Sequence, residues 1–203
     1  MADIKPTRSE LMKLKKKIKL AQSGYNLLKK KRDGLILEFF EIMKKAKTAR
    51  QELVEEYRNA LEKLNVARVI ESDLKLNSLA LAMKNNPQLN LGSKNIMGVV
   101  VPKIETHVVH SSWKDRGYGF LDTSATVDEA VQGYEGVVEK IMQVAEVETS
   151  LKKLLQEIEK TKRRVNALEF SVIPKMKQEE RFIKFRLEEM ERENVFRLKR
   201  IKG

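Results

Sequence analysis

The chain has 203 residues, and its content of 34% charged and 6% aromatic residues argues against a round domain with a large core. It has no cysteine, which excludes disulfides and thiolate metal sites and is compatible with a reducing, cytosolic setting. No apolar run approaches the ~20 residues that cross a bilayer, and the first residues lack the apolar centre of a signal peptide. We therefore expect an elongated helical protein without a transmembrane segment.

The net charge of +12 is distributed unevenly along the chain. Residues 1–50 carry a net charge of +10, residues 51–149 carry −5, and residues 150–203 carry +7. If the two basic ends lie together, they form one positive pole. Such a pole would attract nucleic acid, anionic lipid or an acidic protein surface.

The first fifty residues carry a row of side chains at alternating spacings of three and four, with Arg32 as its charged member. This row, the N-terminal seam, consists of Leu11, Leu14, Ile18, Ala21, Tyr25, Leu28, Arg32, Leu35, Phe39, Ile42, Ala46, Ala49 and Leu53. Its period predicts a helix that winds left-handedly around a partner helix. Thr7 and Glu10 fit a capping box at the start of this helix. With no proline before Pro87, we expect it to run about 75 to 80 residues, to Leu81.

Residues 85–122 have a different character, because glycine, proline and asparagine punctuate them. Residues 96–104 form a β-branched run between these turn residues, which predicts a small head with one or two β-hairpins. Trp113 also lies in this segment, where a tryptophan is either part of the head core or an anchor for a contact.

A second helical pattern starts near Thr126 and Glu129, which offer another capping box. Two apolar stripes follow, Val127, Val131, Tyr134, Val138, Ile141 and Ala145, then Leu151, Leu154, Ile158, Thr161, Val165, Leu168, Val172, Met176, Ile183, Leu187 and Met190. Pro174 removes a backbone donor and should bend this helix locally.

Two helical arms of equal length, joined by a small head, predict a chain that folds back on itself. The expected fold is mainly α: a long antiparallel left-handed two-helix coiled coil with a β-hairpin-containing head. Its parts are an N-terminal arm over 1–84, a head over 85–122 and a C-terminal arm over 123–203.

Equal arm length predicts pairing of residues whose numbers sum to about 207, although a shift of seven residues matches the seam nearly as well. Leu35 then meets Val172. In this register Arg32 comes within a turn of Glu179, so we expect these two charges to pair and fix the register. Alternatively, both side chains reach solvent at the edge of the seam.

The sequence lacks the signatures of a catalytic site. It contains no phosphate loop, no dinucleotide-binding glycine motif and no cysteine nucleophile, and its only histidines are His107 and His110. Because two histidines without a third ligand cluster rarely hold a metal, we expect no metal, no cofactor and no catalytic residues. The basic runs 13–17 and 29–32 could bind phosphate, but their sparse aromatic residues favour solvated helix faces.

Several segments resemble one family across nearly the whole chain. They are Pro6-Thr7-Arg8, Asn95-Ile96-Met97 and above all residues 159–169, Glu-Lys-Thr-Lys-Arg-Arg-Val-Asn-Ala-Leu-Glu, followed by Ile173-Pro174. In these segments the chain resembles the D subunit of the V-type and archaeal A-type ATP synthases and ATPases.

The resemblance implies a non-catalytic subunit, the central rotor shaft of a membrane complex, located at the cytoplasmic side of the cell membrane. The two terminal arms would enter the ring of catalytic A and B subunits, the F subunit would bind lower on the coiled coil, and the head end would meet the C subunit, the funnel above the membrane rotor ring. Expected contacts with the A and B ring are Lys13, Lys16, Arg163, Arg164, Glu169 and Arg200. The competing class is a basic coiled coil that binds nucleic acid or an anionic membrane surface.

Overall fold

The computed structural model describes residues 6–82, 88–107, 118 and 123–202. The elements in chain order are α1 (Arg8–Ile70), α2 (Asp73–Ala82), β1 (Gln88–Ile96), β2 (Val99–His107), α3 (Ala125–Ala167), a π-helix (Leu168–Val172) and α4 (Ile173–Lys202). Among the described residues the fold is mainly α with one two-stranded antiparallel sheet, as the sequence predicts.

The chain forms two compact units, which we describe separately. The terminal unit contains residues 1–36 and 157–203, and the central unit contains residues 37–156.

The N-terminal seam is confirmed by burial. All thirteen of its predicted members are buried or half-buried, and Leu35 is completely inaccessible to solvent. Only the N-cap half of the predicted capping box is formed: the backbone N–H of Glu10 donates to the Thr7 hydroxyl at 3.2 Å. The Glu10 carboxylate accepts a hydrogen bond from Lys13 at 2.9 Å.

The terminal unit contains two helical segments, residues 8–36 and residues 157–202, which we call its two helical strands. They run antiparallel, but the predicted register is wrong. Arg8 pairs with Glu191, so the residue numbers of this pair sum to 199. Further along, Tyr25 lines one cavity with Ile173, and their numbers sum to 198. The register therefore differs from the predicted one by about one heptad, because the heptad repeat matches almost equally well after such a shift.

The predicted pair of Arg32 and Glu179 is not formed. The guanidinium of Arg32 donates to the carboxylate of its neighbour Asp33 at 2.8 and 3.0 Å. The observed register places Arg32 opposite about residues 163–167, far from Glu179. The ion pair with Asp33 satisfies the Arg32 charge locally.

The C-terminal strand of the terminal unit buries Thr161, Val165 and Ile183, as the predicted stripe requires. Val172 departs from the prediction, because it is 40% exposed while Ile173 is half-buried. The π-helix causes this difference: the Ile173 N–H donates to the Leu168 carbonyl five residues back, so one extra residue fits into the turn before Pro174.

In the central unit, α1 ends at Ile70 and does not continue to Leu81 as predicted. Ser72 starts α2 instead, because its carbonyl accepts the Lys75 N–H at 3.0 Å and its hydroxyl lies 3.4 Å from the same nitrogen. Leu74 and Leu81 are consequently more than 80% exposed. The buried cluster of this region is Ala67, Val127 and Ala130, covered by Leu64, Leu76, Leu79 and Val131.

Strands β1 and β2 form a hairpin that turns at Met97 and Gly98. Both residues have positive φ, 49° and 85°, as a type I′ turn requires, and the Gly98 N–H donates to the Asn95 side chain at 2.8 Å. Val99 and Val101 of β2 are buried. Trp113 and His110, the other predicted parts of the head, lie outside the described residues.

Helix α3 holds the hairpin through two polar side chains. Glu146 accepts the Ile104 N–H at 3.0 Å, and Lys153 donates to the Val100 carbonyl at 3.3 Å. The helix begins at Ala125, so Thr126 lies within its first turn and is not the cap that the sequence suggests; the Val127 N–H donates to the Ser124 carbonyl at 3.0 Å.

Candidate interaction surfaces

The two units differ in net charge. The terminal unit contains 25 basic and 12 acidic residues, a net charge of +13, whereas the central unit contains 16 basic and 17 acidic residues, a net charge of −1. The positive charge of the chain therefore belongs to the terminal unit, which unites the two basic ends of the sequence. A surface of this kind attracts acidic partners.

Some of the predicted contact residues have intramolecular partners. Lys13 binds Glu10, and this hydrogen bond together with the charge of Lys13 holds the pKa of the Glu10 carboxyl below its ordinary value. Arg163 lies 3.9 Å from Glu159, and its side chain is 84% exposed. Lys16 and Arg164 are exposed and form no ion pair with any described residue. All four side chains remain accessible to a partner.

The register divides the predicted basic residues into two groups. Arg163 and Arg164 lie level with the lysine run that ends at Lys31, whereas Lys16 lies roughly 22 Å further along α1. Lys29, Lys30, Lys31 and Arg32 therefore lie at the same level along the terminal unit as the arginine pair, and we call this basic level the basic band. The sequence contains this run, but only the correct register shows which residues lie opposite it.

Glu169, another predicted contact, lies in the π-helix. It borders an open cavity together with Gln22, Tyr25, Asn26 and Ile173. The next residue, Phe170, is 74% exposed. A π-helix in a long α-helix is uncommon and is frequently found at a functional site.

The C-terminal end of α4 extends past the first residue of α1, because Arg8 pairs with Glu191 and α4 continues to Lys202. This end, which we call the tip, carries the exposed apolar residues Val195, Phe196, Leu198 and Ile201. Arg197, Lys199, Arg200 and Lys202 alternate with them. Arg200, a predicted contact, therefore lies in a surface that is both apolar and basic, as is typical of a contact with another protein.

Within the described residues, no three histidine or carboxylate side chains are grouped as a metal site. No helix in that part of the chain is long and apolar enough to span a bilayer.

The comparisons with known proteins agree along the whole chain. The sequence model of the ATP synthase D subunits matches residues 10–203. The chain belongs to the ATP synthase D-subunit family. It is 60% identical to the A-type ATP synthase D subunit of Methanococcoides burtonii over 98% of this chain and 97% of the relative. It is 55% identical to the protein of the same name from Methanoregula boonei, over 100% of this chain and 97% of the relative.

A third relative of the same name, from Methanosarcina mazei, is 54% identical over 99% of this chain and 96% of its own length. Membership of this family agrees with the resemblance carried by residues 159–169. The chain is therefore a subunit of an ATP synthase, and such a subunit functions within a membrane-associated complex.

Proposed function

We propose that this D subunit is the central rotor shaft of its complex, which transmits torque between the ion-driven membrane ring and the ring of catalytic A and B subunits. The F subunit on the coiled coil and the C subunit at the head end would complete the stalk. The chain itself would be non-catalytic and peripheral, at the cytoplasmic side of the membrane.

The observation that carries this proposal is the inequality of the two strands in the terminal unit. Residues 8–36 carry 10 basic and 2 acidic side chains, whereas residues 157–202 carry 14 basic and 9 acidic side chains. One strand is almost uniformly positive and the other is mixed. A surrounding ring of similar subunits would therefore meet a different surface at each orientation of the shaft.

Such an inequality couples rotation to catalysis. If each orientation stabilises a different open or closed state of the catalytic subunits, rotor angle and nucleotide occupancy share a coupling free energy, and this coupling acts in both directions. Ion flow would then drive ATP synthesis, and ATP hydrolysis would drive rotation. ATP chemistry would take place in the ring, and the shaft would supply only the differential contacts.

The tip and the basic band supply candidate contacts. Phe196 and Ile201 are more than 65% exposed, and burial against the ring would stabilise the complex by about 1.5 to 3 kcal/mol for each fully buried side chain. Arg163 and Arg164 would face acidic groups of the ring. A fully solvated ion pair contributes little to binding, so the contribution of these two arginines depends on how far their pairs with the ring are desolvated in the assembled complex.

The direct test is to observe rotation. The chain has no cysteine, so Asn77→Cys on the exposed face of α2 can carry a single bead while the catalytic ring is fixed to a surface. We expect ATP to drive rotation of the bead in one direction. ATP hydrolysis at the normal rate with a stationary bead would contradict the proposed role.

The contact residues are tested by charge reversal. We expect Arg163→Glu combined with Arg164→Glu to reduce ATP-driven ion transport at least about tenfold, or to prevent assembly, because two repulsive contacts replace two attractive ones. The matched control is Lys175→Glu combined with Lys177→Glu, on the same strand and also exposed. Unchanged transport and assembly in the first double variant would remove these arginines from the interface.

The alternative function, binding of nucleic acid or an anionic membrane, is favoured only by the net charge of +13 in the terminal unit. It predicts tight binding to DNA, RNA or anionic vesicles that weakens steeply with salt. Binding of this kind by the assembled complex, together with a stationary bead, would favour the alternative.

A further inference from the structure

The outer edge of strand β2 is covered by helix α3. The Ile104 N–H donates to Glu146 at 3.0 Å, and the Val100 carbonyl accepts a hydrogen bond from Lys153 at 3.3 Å. Both backbone groups point away from β1, because each is bonded to a side chain of the helix. Pro102, which lies between them, has no N–H to satisfy. The chain therefore protects this edge of the hairpin with its own residues.

The opposite edge of the hairpin, formed by β1, has a matching pattern of backbone groups. Leu91 faces Ile104 and Asn95 faces Val100 across the ladder. In an antiparallel pair, two facing residues are either both bonded across the ladder or both directed away from it, and the two kinds alternate. Leu91 and Asn95 therefore direct their N–H and C=O groups away from β2. The alternate residues that do so, which we call the β1 edge, are Leu89, Leu91, Ser93 and Asn95.

The β1 edge is open among the described residues. The sheet has two strands, so β1 pairs there with β2 alone, and no backbone group of the β1 edge is bonded to another described residue. All four residues are exposed, Leu91 by 75% and Leu89 by 50%. The edge therefore offers a row of solvated backbone donors and acceptors.

Strand β1 also lacks the usual protection of an edge strand. Such strands are commonly kept short or carry a proline, a bulge or an outward charge. β1 is nine residues long, contains no proline and pairs with β2 in one continuous register. Its one charged residue, Lys94, faces the buried Val101 and so belongs to the other face of the sheet. The chain thus covers one edge of the hairpin and leaves the other available.

The chemistry of the β1 edge indicates its ligand. N–H and C=O groups in a straight row, with a repeat of roughly 7 Å, match the backbone of another extended strand. A helix does not match them, because its own backbone groups are bonded internally. The exposed side chains of Leu89, Leu91 and Val100 share one face of the hairpin and would contact apolar residues at alternate positions of the added strand.

We propose that the β1 edge binds an extended segment of another protein of the complex, which adds a third strand to the hairpin on the side away from α3. A second copy of this chain fits less well, because a net charge of +12 makes two copies repel each other. This inference rests on membership of the complex. It is independent of the torque role, because rotation of the bead does not report on the β1 edge.

Amide hydrogen exchange tests the proposal. In the isolated chain we expect the N–H groups of the β1 edge to exchange rapidly, and those of Asn90, Gly92 and Lys94, which bond to β2, to exchange slowly. In the purified complex the amides of the β1 edge should exchange at least about 100-fold more slowly, because the added strand accepts their hydrogen bonds. Unchanged exchange of the β1 edge in the complex would overturn the proposal.

A proline substitution tests whether the backbone is what binds. Ser93→Pro removes an outward N–H but no bond between β1 and β2, since Ser93 faces Pro102 in a pair that is not bonded across the ladder. In the complex it should accelerate exchange at Leu89 and Leu91 by about tenfold. Ser93→Thr, which keeps the N–H, is the matched control and should leave exchange unchanged. Full protection in the proline variant, or equal loss in both variants, would contradict strand addition.

A photo-crosslinker at position 93 identifies the occupant and does not depend on the proline variant. An adduct in the complex with an extended segment of another protein, with apolar residues at alternate positions, supports the proposal. An adduct with a second copy of this chain or with a helical segment overturns it, and so does the absence of any adduct with another protein.

Discussion

The terminal and central units are both built on a pair of long helices, but they differ in the number of residues that they bury. Among the described residues, five in the terminal unit are buried and eleven in the central unit. The described part of the terminal unit consists of two long helical segments alone. In the central unit, α2 and the β-hairpin cover further sides of the helix pair. Two helices bury only a narrow seam, so additional layers are needed for a wider core.

This difference predicts that the two units contribute unequally to the free energy of folding. We infer that the central unit contributes more of the folding free energy, because its Ala67 cluster and the buried valines of β2 remove more apolar surface from water. The terminal unit instead carries the positive net charge of the chain, +13 against −1 in the central unit.

The strongest test compares two leucines that are both 0% exposed, Leu154 of the central unit and Leu35 of the terminal unit. We expect Leu154→Ala to lower the free energy of unfolding by about 3 to 4 kcal/mol and Leu35→Ala by about 2 kcal/mol, because two unsupported strands can close around a cavity more readily. Urea denaturation of both variants measures this difference. A larger loss for Leu35→Ala would contradict the inference that the central unit contributes more of the folding free energy.

A smaller effect is expected at two helical glycines. A Cβ at Gly133 of the central unit would lie 3.4 Å from the Ala60 side chain, whereas at Gly24 of the terminal unit nothing lies within 4 Å. Gly133→Leu should therefore destabilise the chain by about 2 kcal/mol through overpacking. Gly24→Leu should stabilise it by up to about 0.8 kcal/mol through helix propensity. Thermal unfolding measures both, and equal shifts at the two sites would argue against this contrast.

The smallest effect is expected in the pH dependence of stability. The hydrogen bond to Glu52 raises the pKa of Lys140 above 10.5, so its stabilising contribution is complete below that pH and is lost as the pH rises through the higher folded-state value. Glu10 behaves oppositely, because the hydrogen bond from Lys13 lowers its pKa below 4.5 and its contribution is lost in acid.

The measurement compares two variants with the unmodified chain at both ends of the pH scale. The stability difference for Lys140→Gln should disappear in strong alkali, and that for Glu10→Gln should disappear in strong acid. A difference that stays constant over the whole range would show that neither ion pair affects folding.

The sequence predicts the secondary-structure elements far better than the register in which the two helical strands pair. The N-terminal seam, the antiparallel arrangement and the hairpin are all readable, because each depends on local periodicity or turn chemistry. The register is not, since a heptad repeat is nearly unchanged by a shift of seven residues. The hairpin itself pairs Gln88 with His107 and turns at Met97 and Gly98.

The candidate surfaces were less predictable for a related reason. Lys13, Lys16, Arg163, Arg164, Glu169 and Arg200 can be selected from charge, and they are exposed. Which of them lie level with one another depends on the register. Ile141 fits a buried stripe by spacing alone, and only its 49% exposure in the structure distinguishes an exposed face from a packed one.

The π-helix shifts the heptad phase of the C-terminal helical strand, so that the inward-facing positions form two separate series. Before it, the inward positions are 158, 161, 165 and 168; after it, they are 173, 176, 180, 183 and 187. Each series alternates threes and fours, and the step from 168 to 173 contains one residue too many for a heptad. Removing a single residue between 168 and 173 would bring both series into one uninterrupted frame without turning any inward side chain outward. The packing of the two helical strands therefore does not require the extra residue, and the turn that contains it carries Phe170, whose side chain is 74% exposed.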